Sequence, residues 1–217
     1  MARRGKKMLE VDACIEAFLR TYRKSSKLGS RDEGAYYWNE REVQWELFRH
    51  LRERAVSHGI GSEWWFHAEG TVERPAYARW GARRRADIVM IDHYRFKKWF
   101  MGGTSREPEY EAMIELKLLW SGWGLSSTYS WIRADLRKLA SCLGGHQTNE
   151  AHMVLIDGLD RRSTPYYSYD VICKMLASLH LRPRLTSRLH LWHWPDSDEP
   201  IEDTRTAPWE HYTAHQV

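Results

Sequence analysis

Cysteine is scarce in this chain of 217 residues: only Cys14, Cys142 and Cys173 are present. They are odd in number, far apart and set in apolar helical patterns. That argues against a disulfide framework or a cysteine zinc site, and reads as reduced core thiols of a cytoplasmic protein. Long hydrophobic runs are also missing; none approaches the roughly 18 to 20 residues of a membrane span, so no membrane partner is expected. The basic start "MARRGKK" is followed by neither an apolar h-region nor a small-residue cleavage site, so no signal peptide is expected. A G-x-S-x-G elbow, a P-loop and internal repeats are absent too, which leaves serine-hydrolase chemistry, P-loop phosphate binding and solenoid architectures without support.

What remains is a globular composition, 42% hydrophobic and 29% charged. The length suits one substantial α/β core with some additions. The net charge of +4 is uneven. Residues 196–217 hold six acids and one base, leaving 32 bases against 23 acids, or +9, over residues 1–195. A basic body suits a polyanionic partner, although ordinary solvated lysines and arginines would give the same balance.

Periodicity predicts a first helix in "MLEVDACIEAFLRTYR" (8–23) and a charged Gly/Ser linker after it. A second helix runs from Asn39 to Ala55, with an inner stripe of Val43, Leu47 and Leu51. Strands are expected at 63–74, 85–92 and 110–120, and "HYRFKKWFMGGTSREPE" reads as a long hairpin connection between the last two. A helix marked by Ile132, Leu136, Leu139 and Leu143 follows, stopped by Gly144 and Gly145. Then come a strand "HMVLIDGL", a helix "YSYDVICKMLASLH" and a last strand "RLHLWHW"; beyond Trp194 the acidic tail shows no period. The expected organisation is an N-terminal helix and linker (1–35), a main domain (36–195) and an acidic tail (196–217). Strands reached through helices argue for an α/β fold with a mixed sheet covered on both faces.

The stretch "YEAMIELKLLW" is an apolar strand that carries Glu115 and Lys117 on one face. Asp87 in "RRADIVMID" is a second acid embedded in an apolar strand. If the two strands are neighbours, Asp87 and Glu115 converge, and a hard divalent cation such as magnesium would relieve their repulsion. Lys117 could then orient or help deprotonate a metal-bound water, or stabilise charge on a phosphate. The alternative is an exposed strand face with a routine ion pair.

An acid on one strand, Glu-x-Lys on the next, then a helix and a strand resembles the PD-(D/E)xK nuclease superfamily, over roughly residues 39–158. The chain departs from the name-giving pattern in having Ala86, not Pro, before Asp87, and 28 residues separate Asp87 from Glu115. The resemblance implies a restriction-endonuclease-like αβββαβ core and a magnesium-dependent endonuclease (manganese substituting) with Asp87, Glu115 and Lys117 catalytic. It implies metal ligation by Asp87, Glu115 and the Leu116 carbonyl, and a supporting glutamate on the preceding helix. Glu40 shares that helix's inner stripe and is preferred to Glu42 and Glu46.

DNA contacts are expected from Arg83, Arg84 and Arg85 beside Asp87, and from the basic–aromatic "RFKKWF" with Lys97 and Lys98. Arg133, Arg137 and Lys138 lie off the apolar stripe of the later helix, where the family touches the nucleic-acid backbone. A solvated surface is the competing reading for each. His190 and His193 fall on opposite strand faces and so are poor joint metal ligands, and the twelve tryptophans are expected to fill the core. The expected function is cleavage of DNA, in host defence or recombination, by a homodimer or with a partner protein. The alternatives are a catalytically weak binding or assembly subunit, and a nuclease that acts on RNA or only when docked.

Overall fold

A computed structural model describes residues 11–28, 40–57, 64–71, 85–102, 108–119, 125–157, 174–194 and 210–214. Among the described residues six strands form one mixed sheet whose spatial order follows chain order. They are β1 (Trp64–Thr71), β2 (Arg85–Asp92), β3 (Tyr110–Leu119), β4 (Thr148–Asp157), β5 (Leu189–Trp194) and β6 (Glu210–Thr213). The β1–β2, β2–β3 and β5–β6 pairs are antiparallel, while β3–β4 and β4–β5 are parallel.

Helices α1 (Val11–Leu28) and α2 (Glu40–Ser57) cover one face. The α2 stripe of Val43, Leu47 and Leu51 is fully buried against Ile88, Ile114, Leu116 and Leu118. Helix α4 (Leu125–Gly144) makes the crossover from β3 to its parallel neighbour β4 and covers the other face. Its Ile132, Leu136, Leu139 and Leu143 join Val89, Ile91, Met113 and Met153 in a second core. Alternate residues of β2 and β3 therefore feed opposite cores, which explains why both strands read as nearly continuous apolar runs.

Helix α4 closes with Gln147 N–H donating to Cys142 O (2.9 Å) and His146 N–H to Leu143 O (3.2 Å). The left-handed residue of that closure is His146, at φ 60°, rather than one of the two preceding glycines. Cys14 and Cys142 are buried thiols without a disulfide, and Cys173 lies outside the described residues. No helix among the described residues is long and apolar enough to cross a membrane.

Two expectations are corrected. "HYRFKKWFMG" is not an open hairpin connection but helix α3 (His93–Gly102), with Phe96 ring-stacked on His67 of β1 at 5.2 Å. Its aromatics recur at helical spacing, a period hidden by the interleaved bases. The acidic tail, aperiodic in sequence, contributes β6, which pairs His211 with Trp192. Four residues are too few to display an alternation. Of the helix expected at 167–180, only a helical turn at 174–177 lies among the described residues, followed by the short α5 (Pro183–Thr186).

Candidate active site

The β2–β3 ladder pairs Ile88 with Ile114, Val89 with Met113 and Met90 with Ala112, and then stops. Asp87 and Glu115 are the next residues in that register. Where a ladder bond would come, the Leu116 amide instead donates to Asp87 Oδ2 at 2.8 Å. The Asp87 carbonyl accepts from Gln44 Nε2 of α2 at 2.8 Å. The strands thus part at the two acids, and side chains satisfy the backbone groups left over.

Glu40, at the start of α2, reaches the same opening. One of its oxygens lies 3.1 Å from Lys117 Nζ and the other accepts from the Leu118 amide at 3.2 Å. Glu40 is therefore the α2 glutamate at this centre. Glu46 pairs with Arg49 instead, and Glu42 is exposed.

From the opposite face α4 contributes two residues that periodicity did not single out for this place. Lys138 Nζ lies 2.6 Å from Glu115 Oε1, 3.1 Å from Asp135 Oδ1 and 2.9 Å from the Arg85 carbonyl. Asp135 Oδ2 also lies 3.3 Å from Lys117 Nζ. Lys138 was expected at the nucleic-acid backbone; it is buried in the centre instead. A stripe defined by apolar residues cannot register a lysine whose stem reaches inward to buried carboxylates. The "DLRK" spacing of Asp135 and Lys138, an i,i+3 acid–base pair beside the stripe, was the available signal.

The electrostatics are those of crowded acids. Glu115 is 1% exposed, and burial, then Asp87, push its carboxyl well above the ordinary value of 4.5, against the pull of Lys138. Burial also raises Asp87, opposed by the Leu116 amide and both lysines. Burial alone would lower the two lysines, but Asp135, Glu40 and Asp87 around Lys117, and Glu115 and Asp135 around Lys138, hold both above the usual range. Four carboxyls against two ammonium groups leave two negative charges in excess if all ionise.

That excess matches one divalent cation. Glu115 Oε1 is buried in the centre, 2.6 Å from Lys138 Nζ. Asp87, Glu115 and the Leu116 carbonyl suit a hard cation. An open cleft of about 310 Å³ is lined by Glu40, Lys117, Trp131, Ala134 and Asp135. Trp131 is 46% exposed there and Trp45 is 60% exposed on α2, so these two tryptophans, unlike Trp192, do not fill the core.

No family model, no curated protein and no solved structure matches the chain.

The other residues expected at DNA are, where described, exposed. Arg85 begins β2 and is exposed, as are Lys97 and Lys98 on α3 and Arg133 and Arg137 on α4. Arg83 and Arg84 lie outside the described residues.

Proposed function

We propose that the chain is a magnesium-dependent endonuclease of the PD-(D/E)xK kind, with a restriction-endonuclease-like core and DNA as its substrate. One observation carries this reading. Asp87 and Glu115 stand in register where the β2–β3 ladder opens, with Lys117 two residues on and Glu40 reaching it from α2.

Asp87, Glu115 and the Leu116 carbonyl would hold the cation, which when bound lowers the pKa of a water and offsets charge on the phosphate. Asp87 is fixed for this task by the Leu116 amide, and its strand by Gln44. Lys117 keeps its proton at neutral pH because three carboxylates surround it. It therefore acts as a donor rather than a base, holding the attacking water or a phosphate oxygen in line. Glu40 and Asp135 fix the direction of that ammonium. Water oxygen bonds to phosphorus and gives up its proton to solvent water, the opposite P–O bond breaks, and the departing oxygen takes up a proton from solvent.

A non-cutting DNA-binding subunit is the second reading. The observation favouring it is Lys138, whose ammonium lies against Glu115 and already offsets part of its charge. Cleavage of supercoiled and linear DNA with and without magnesium separates the two. Lys117→Ala should lower turnover about 10²- to 10³-fold with little change in DNA affinity. Asp87→Ala should weaken magnesium binding and abolish cutting together. Equal cutting by Lys117→Ala and wild type would sink the assignment of Lys117 and its strand to the catalytic centre. A wild type that binds DNA but never cuts would favour the binding subunit.

A further inference from the structure

On the α1 face of the sheet, away from the acids of β2 and β3, a second group of polar side chains has no part in the proposed cleavage. Asp12 lies in the first turn of α1, His152 on β4, His190 on β5 and His211 on β6. His152 is fully buried; its Nε2 lies 3.7 Å from Glu150 Oε2, and neither ring nitrogen makes a short hydrogen bond among the described residues. Its Nδ1 lies 3.4 Å from Asp12 Oδ1, an oxygen that is itself buried and without a hydrogen bond. Two such groups side by side are costly unless something else satisfies them.

The neighbouring donors supply the rest of a coordination shell. Asp12 Oδ1 is 3.5 Å from His190 Nδ1, which is 3.0 Å from His211 Nε2. All three atoms lie within 4.8 Å of one another. A tetrahedral zinc with metal–ligand bonds of roughly 2.0 to 2.2 Å separates its ligand atoms by about 3.3 to 3.6 Å, so small adjustments would admit the ion. We infer that Asp12, His190 and His211 form a second metal site, for a zinc-like transition-metal dication rather than magnesium.

Two imidazoles and one carboxylate are the donor set such a cation prefers, and a hard ion does not. A neutral imidazole carries the lone pair that ligation needs. The Trp192 indole stacks on His211 at 3.8 Å and fixes its ring. His211 is exposed, so a fourth position opens to water. The ion would join the first turn of α1 to the last two strands, bracing the short β6 at the sheet edge.

The test is direct metal binding, independent of DNA cleavage. Chelator-washed protein is titrated with Zn²⁺, and with Co²⁺ for its visible d–d absorption, and melting is followed alongside. One ion per chain, a higher melting temperature and a Co²⁺ band of tetrahedral intensity are expected. Asp12→Asn and His211→Ala should each weaken binding by about 10-fold or more. Asp12→Asn, a near-isosteric change at a half-exposed side chain, guards against loss of β6 pairing as the explanation. Glu115→Gln should leave Zn²⁺ binding intact. No binding, or binding undiminished in both ligand variants, would overturn the site. Binding lost in Glu115→Gln but kept in Asp12→Asn would place the ion at the other centre and overturn it equally. Failure of magnesium-dependent cutting touches none of these readouts.

Discussion

Glu115 shows how a single side chain can tie the proposed chemistry to stability. Its carboxyl is raised by burial and by Asp87, so the folded protein keeps a proton that the unfolded chain has already released. The native state then binds more protons, and stability falls as pH rises from 4.5 through the raised folded value. Asp87 acts in the same direction, starting from 3.8. The two lysines have raised values, so their contribution is fully present below 10.5 and is lost only above it. Metal-free wild type should therefore melt lower at mildly alkaline than at mildly acidic pH. Glu115→Gln should flatten that fall, and magnesium should reduce it in wild type alone. Melting curves across a pH series, with chelator or magnesium, check this; an equally steep Glu115→Gln profile would assign the dependence to other groups. At this scale Asp87, Glu115 and Lys117 were legible because each is a charge set in an apolar strand, and Glu40 because the resemblance implies a helix glutamate and it shares the α2 stripe. Asp135 and Lys138 were not, because they sit on a helix where charges beside a stripe are ordinary.

Elements were read best where an apolar period ran long. The stripes of α2 and α4 and the β2 and β3 runs are buried as their spacing demands. Helix α3 and strand β6 escaped, the first through its interleaved bases and the second through its brevity. Neither pattern reveals how closely β1 and β2 pack at Gly70, which pairs with Ala86. A β-carbon at Gly70 would lie 2.4 Å from both γ-carbons of Val89. Valine has little freedom to rotate away, so Gly70→Ala should cost about 1 to 3 kcal/mol. Denaturant midpoints measure the loss, and a Val89→Ala background should recover part of it if the clash is its cause. An unchanged midpoint for Gly70→Ala would show that the strands shift apart freely.

For the molecule as a whole, the +9 balance of residues 1–195 sets the expectation for nucleic acid. Arg85, at the start of β2 two residues before Asp87, and Lys97 and Lys98 on α3 are exposed. Under the DNA-cleavage reading, Lys97→Gln with Lys98→Gln should weaken DNA binding and reduce the slope of log affinity against log salt by about 1 to 2. Affinities measured over a salt series give that slope; an unchanged value would mean the two lysines are only solvated. The mixed, two-faced α/β sheet was foreseeable from the alternation of strands and helices, whereas its complete sequential order was not, since periodicity says nothing about which strand lies beside which. That order has a consequence in time. Each strand is laid against the one translated before it, so the sheet can grow at one edge during synthesis without any later strand being inserted between earlier ones. The acidic centre draws on residues 40 to 138 and can close once α4 has emerged. The histidine cluster must wait for residue 211, so occupation of that site would mark a chain whose sheet has been completed.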